Sequence, residues 1–81
     1  MKKPNYFKER PGEKITGGWF VFGRHSTSKR VRVPTQGFPF EHPDYESALT
    51  EAHRLSGLHP GKTYCVMQQM TVVAIQGEPQ L

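Results

Sequence analysis

Asp44-Tyr45-Glu46-Ser47-Ala48-Leu49-Thr50-Glu51-Ala52-His53-Arg54-Leu55 is the one stretch of the chain with a helical period, and its place in the order of elements decides the fold. Tyr45, Ala48, Leu49, Ala52 and Leu55 recur at intervals that line one side of a helix. Asp44, following Pro43, is a natural N-cap, and Glu46 sits in the first turn, where a negative charge suits the positive end of the helix. Glu46, Thr50, Glu51, His53 and Arg54 fill the other side, so both glutamates are expected to face outward. Gly57 is the expected stop, and His59-Pro60-Gly61-Lys62 has the Pro-Gly order of a type II turn.

Outward from the helix, strand signals lie on both sides. Gly18-Trp19-Phe20-Val21-Phe22-Gly23 is a dense aromatic and β-branched run bounded by glycines. After the short polar piece His25-Ser26-Thr27-Ser28, Arg30-Val31-Arg32-Val33 alternates strictly, with both valines on one face and both arginines on the other. Pro34 can end that strand, and Gln36-Gly37-Phe38-Pro39-Phe40 reads as an irregular connection. Past the helix, Thr63-Tyr64-Cys65-Val66-Met67 continues through Gln68-Gln69-Met70 to Ile75, either as one long strand or with a bend near the glutamines. The order β-β-α-β predicts an α+β fold: a three-stranded antiparallel sheet, the third strand beside the first, with one helix packed on one face. Trp19, and whichever of Phe20 or Phe22 faces the helix, are the expected core aromatics. Residues 1–17 read as a basic N-terminal arm, flexible unless something docks it, with Tyr6-Phe7 as the candidate anchor. The domain proper is 18–76, and 77–81 is a loose tail.

At 81 residues the chain is a single small domain, one that buries only about 60 to 65 % of its unfolded surface. A mean hydropathy of -0.66 and 22 % charged residues describe a soluble globule. No apolar run reaches transmembrane length, and Lys2-Lys3-Pro4-Asn5 opens without a hydrophobic signal segment, so a cytoplasmic protein with no membrane contact is expected. Charge is divided unevenly. Residues 1–33 carry nine Lys and Arg against Glu9 and Glu13, a net of +7, whereas residues 34–81 are net -3. Such a split points to a polyanion or an acidic protein surface as the partner of the first half.

Several chemistries fail on spacing. Gly57-Leu58-His59-Pro60-Gly61-Lys62-Thr63 has three residues between its glycines, where a phosphate-binding loop needs four, and it leads from helix to strand instead of the reverse. His25, His42, His53 and His59 have no zinc-type spacing, and the lone Cys65 cannot complete a ligand set. Cys65 lies within a strand with no helix N-terminus to activate it, and no pair of carboxylates has a pocket-forming context. A non-enzymatic protein with no cofactor and no metal is expected. The candidate partner-binding residues are Arg24, Lys29, Arg30 and Arg32, which surround the hairpin loop. Cys65 and Met67 share a strand face opposite Tyr64 and Val66, and are the candidates for a homodimer interface if that face is uncovered.

Gly18-Trp19-Phe20-Val21, the stretch from Phe40 to Leu55, and the stretch from His59 to Met67 together resemble small proteins of phages and prophages, over about two thirds of the chain. In size, in one helix against three strands and in the lone strand cysteine, the chain is similar to small phage anti-CRISPR proteins, including those acting on the type I-C system. The resemblance implies a stoichiometric inhibitor that binds the Cascade surveillance complex in the host cytoplasm and prevents target DNA binding. A DNA mimic would be acidic, so a basic inhibitor is expected to cover an acidic protein patch or touch the guide RNA backbone. Two other readings stand beside it: a small basic nucleic-acid-binding accessory protein, and a structural homodimer.

Overall fold

The computed structural model describes residues 8–33 and 37–74. The elements are β1 (Trp19–Arg24), β2 (Val31–Arg32), α1 (Tyr45–Leu58) and β3 (Thr63–Gln68). They form a three-stranded sheet in the order β2-β1-β3, antiparallel throughout, with α1 packed against β1 and β3. This is the small α+β architecture that the β-β-α-β order predicts. Tyr6, Phe7, Pro34, Gln36, Ile75 and the tail 77–81 lie outside the described residues.

The helix begins where its cap says it should. Asp44 is extended, and its carboxylate accepts a hydrogen bond from the Ser47 N–H at 2.8 Å, satisfying one of the amides that the first turn leaves without a partner. It ends one residue later than expected: Gly57 stays helical, and His59 closes the last turn by donating its N–H to the Leu55 carbonyl. Gly57 has open space around it, so nothing forces a break there. The type II turn follows, with Gly61 at φ +91° and the Lys62 N–H donating to His59 O at 3.1 Å.

Ladder register sorts the sheet's side chains. Trp19 meets the Tyr45 ring edge-on at 5.5 Å, so Trp19 lies on the helix side. By alternation Val21 and Gly23 share that side, and their partners Val66 and Tyr64 do too. Phe20 and Phe22 belong to the other face, stacked on each other at 6.0 Å and paired with Met67 and Cys65. The expectation that one of these phenylalanines would join Trp19 against the helix is therefore corrected. Both are an odd number of residues from Trp19, and period two forbids it. Ala48 is completely buried against the sheet, and no large side chain among the described residues is.

β3 stops at Gln68, at the glutamines, and not at Ile75. Its ladder on β1 closes with the Gln69 N–H donating to Gly18 O at 2.8 Å. Before Trp19 the chain turns away at Gly18, whose φ is +87°, so β1 offers residues 70–74 nothing to pair with.

Candidate binding surface

Three places concentrate polar chemistry: the hairpin tip, the junction of the N-terminal segment with residues 38–42, and a cavity beside the helix.

At the tip, β1 and β2 pair Gly23 with Arg32 and Arg24 with Val31, leaving a loop from His25 to Arg30. That loop is cross-braced. The His25 N–H donates to Arg30 O at 2.8 Å, and the Lys29 N–H to His25 O at 3.0 Å. The imidazole Nδ1 of His25 accepts from both the Thr27 and Ser28 N–H groups, at 3.2 and 3.1 Å, standing in for a turn carbonyl. Lys29 takes a left-handed φ of +66°. Arg24, itself exposed, folds back along the loop, its Nη1 donating to Lys29 O at 2.7 Å. Of the four expected contact residues, then, Arg24 braces the loop, whereas Lys29, Arg30 and Arg32 are exposed and make no ion pair among the described residues.

The second place was not visible in the sequence. Glu13, whose side chain is only 8 % exposed, accepts from the Arg10 backbone N–H and from Arg10 Nε at 3.0 Å each, from Arg10 Nη2 at 2.8 Å, and from the Glu41 N–H at 3.0 Å. The Arg10 Nη2 also reaches the carbonyls of Phe38 and Pro39, and its guanidinium lies 5.2 Å from the centre of the Phe40 ring. Glu41 returns the contact: its carbonyl accepts from the Lys14 N–H at 2.9 Å and its carboxylate from the Gly18 N–H at 2.8 Å. Hydrogen bonding from Arg10 brings the Glu13 carboxyl down to about 2, with the Glu41 amide adding to it against the opposing effect of burial. What docks residues 9–18 is thus a carboxylate at each side of the seam. Tyr6 and Phe7, named as anchors from sequence, are not among the described residues.

Docking leaves an open cavity of about 560 Å³ between this seam and the helix, lined by Pro11, Gly12, Phe40, His42, Ser47, Thr50, Glu51 and Arg54. His42 is 5 % exposed, bridges to β1 through its N–H on Trp19 O at 2.7 Å, and shares a 3.0 Å hydrogen bond between its Nδ1 and Ser47 Oγ. Glu51, expected to point outward, instead lines the cavity and is half-buried. The helix stripe alone sends it to solvent, and only the arrival of residues 11–12 and 40–42 covers that flank. It holds Arg54 through two bonds of 2.7 Å. Hydrogen bonding from Arg54 lowers the Glu51 carboxyl below its ordinary value, burial opposes this, and the charges of Arg54 and His42 add to the lowering. The rim charges neutralise each other, so the cavity is mainly apolar with two hydroxyls. Among the described residues no group of three or more His, Cys, Asp or Glu side chains is placed to hold a metal ion.

Cys65 and Met67 lie together on the face away from the helix, as their alternation with Tyr64 and Val66 requires. The Cys65 thiol donates across the ladder to Phe22 O at 3.3 Å and is half-buried, and Met67 is exposed. No helix among the described residues is long and apolar enough to cross a membrane. Comparison of the chain with family models, with curated proteins and with solved structures gives no match.

Proposed function

We propose that this chain is a non-enzymatic inhibitor of the phage anti-CRISPR kind, which binds the Cascade complex and keeps it from its target DNA. The contact surface is the hairpin tip. One observation carries the reading: Lys29, Arg30 and Arg32 are exposed and unpaired among the described residues, on a loop whose own backbone bonds fix its shape. Cations presented on a braced loop lose less freedom on binding than cations on a slack one, so more of the electrostatic attraction survives as affinity. Their complement is an acidic protein patch or the phosphate backbone of the guide RNA.

The test is capture of Cascade subunits by the tagged chain from a lysate with an active CRISPR system, with and without nuclease. The parent should retain the subunits after nuclease treatment, and the double variant Arg30→Glu, Arg32→Glu should lose them while keeping its fold. Undiminished capture by the double variant removes the hairpin from the interface. Capture that disappears with nuclease makes the chain a direct nucleic-acid binder, whose affinity should fall steeply with salt.

A further inference from the structure

β3 is an outer strand. Its ladder on β1, continued by the Gln69 N–H to Gly18 O bond, turns the backbone N–H and C=O groups of Tyr64, Val66 and Gln68 away from β1, and among the described residues nothing pairs with them. Natural outer strands are guarded by lysines, prolines or bulges that discourage pairing with another chain. This one is not: from Thr63 to Ile75 the sequence has no Asp, Glu, Lys, Arg or Pro. Beyond it, Met70, Val72 and Val73 are 86, 74 and 87 % exposed, in a segment with strand composition that joins no strand among the described residues.

We infer that the missing strand partner is a second copy of this chain. Two copies related by a two-fold axis near Gln68 and Gln69 lay residues 70–74 of each along β3 of the other, antiparallel, joining the two sheets into one of six strands. Three observations select this occupant. The stretch is free of charge, so chains of net charge +4 meet where neither repels the other. It supplies both halves of the pairing, an open edge and an unpaired strand-forming segment, within one sequence. Alternation then sets Met70 and Val72 on the face of Tyr64 and Val66, continuing the apolar pattern. The two-fold arrangement occupies the β3 edge of both copies at once and leaves at the outer ends only the two-residue β2, so it stops at the dimer. The hairpin tip is at the other end of the sheet order, and the pairing is independent of what the tip binds.

Sedimentation of the full chain at micromolar concentration tests this. The parent should sediment at twice the 9.2 kDa chain mass. Val72→Pro, which removes an N–H facing the partner strand, should sediment at the single-chain mass, and Val72→Ile should remain a dimer. Val72 is exposed and pairs with no strand among the described residues, so far-ultraviolet circular dichroism should confirm an intact fold in both variants. A parent that sediments as one chain at every concentration, an open series of larger species, or a dimer indifferent to Val72→Pro would each overturn the proposal.

Discussion

Arg10 and Arg30 belong to the same basic half of the chain, and the structure uses them in opposite ways. The Arg10 guanidinium is held by Glu13 and by the Phe38 and Pro39 carbonyls, against the Phe40 ring. Arg30 meets no carboxylate among the described residues, and the backbone of its loop is satisfied by His25 and Ser28. At the seam, charge holds two segments together; at the tip, backbone bonds, the His25 ring and the Arg24 guanidinium hold the loop and leave the charges of Lys29, Arg30 and Arg32 for something else. The nine cations of residues 1–33 are therefore not equivalent: Arg10 is spent on Glu13 within the fold, a pair that the net of +7 already counts as neutral.

The sharpest way to break the contrast is Gly17→Ala. A Cβ at Gly17 would lie 2.8 Å from Pro43 Cα and 2.9 Å from Lys14 O, and closer still to His42 O, all of it backbone that cannot swing aside. It should cost about 3 kcal/mol, at the upper end for overpacking, read by chemical denaturation. Glu13→Gln comes next. Losing the ionic bonds to Arg10 should cost about 2 kcal/mol, and the same variant tests the acid response. The Glu13 carboxyl titrates at about 2 in the fold against an ordinary 4.5. Its contribution is complete above 4.5 and is lost as pH falls toward 2, so the parent should weaken more steeply over that window than the variant, which keeps only the smaller acid response of carboxylates such as Glu51. The smallest effect belongs to the tip. His25→Ala removes an acceptor from two exposed amides and should cost about 1 kcal/mol or less. Its larger signature should be faster amide exchange at Thr27 and Ser28, with residues 9–18 unaffected.

Local chemistry makes much of the fold legible in the sequence. Asp44 caps the helix it was expected to cap, Gly61 adopts the left-handed φ that its turn needs, and the third strand lies beside the first. The seam was not legible, because Arg10 and Glu13 look like an ordinary exposed pair three residues apart until Glu41 arrives from 28 residues away. The cavity was hidden for the same reason: Glu51 turns from a solvent residue into a lining residue only when Phe40 and His42 are brought to the helix. Within the hairpin, composition located the cations but could not divide them, since nothing in Arg24-His25-Ser26 says that Arg24 will fold back onto the Lys29 carbonyl. The end of β3 was ambiguous because strand length is set by the partner strand, and Gly18 is where β1 runs out.

The completeness of Ala48's burial, set against the partial exposure of every larger side chain described, has a consequence for how much of the protein a cell would contain. A fold with so little withdrawn from water stands close to balance with its unfolded chain, and quality control removes unfolded chains. Whatever binds only the folded form then shifts that balance by mass action, by about 2.7 kcal/mol when present at a hundredfold excess over its dissociation constant. Abundance would follow the binding partner's: plentiful where the partner is plentiful, and cleared where it is absent.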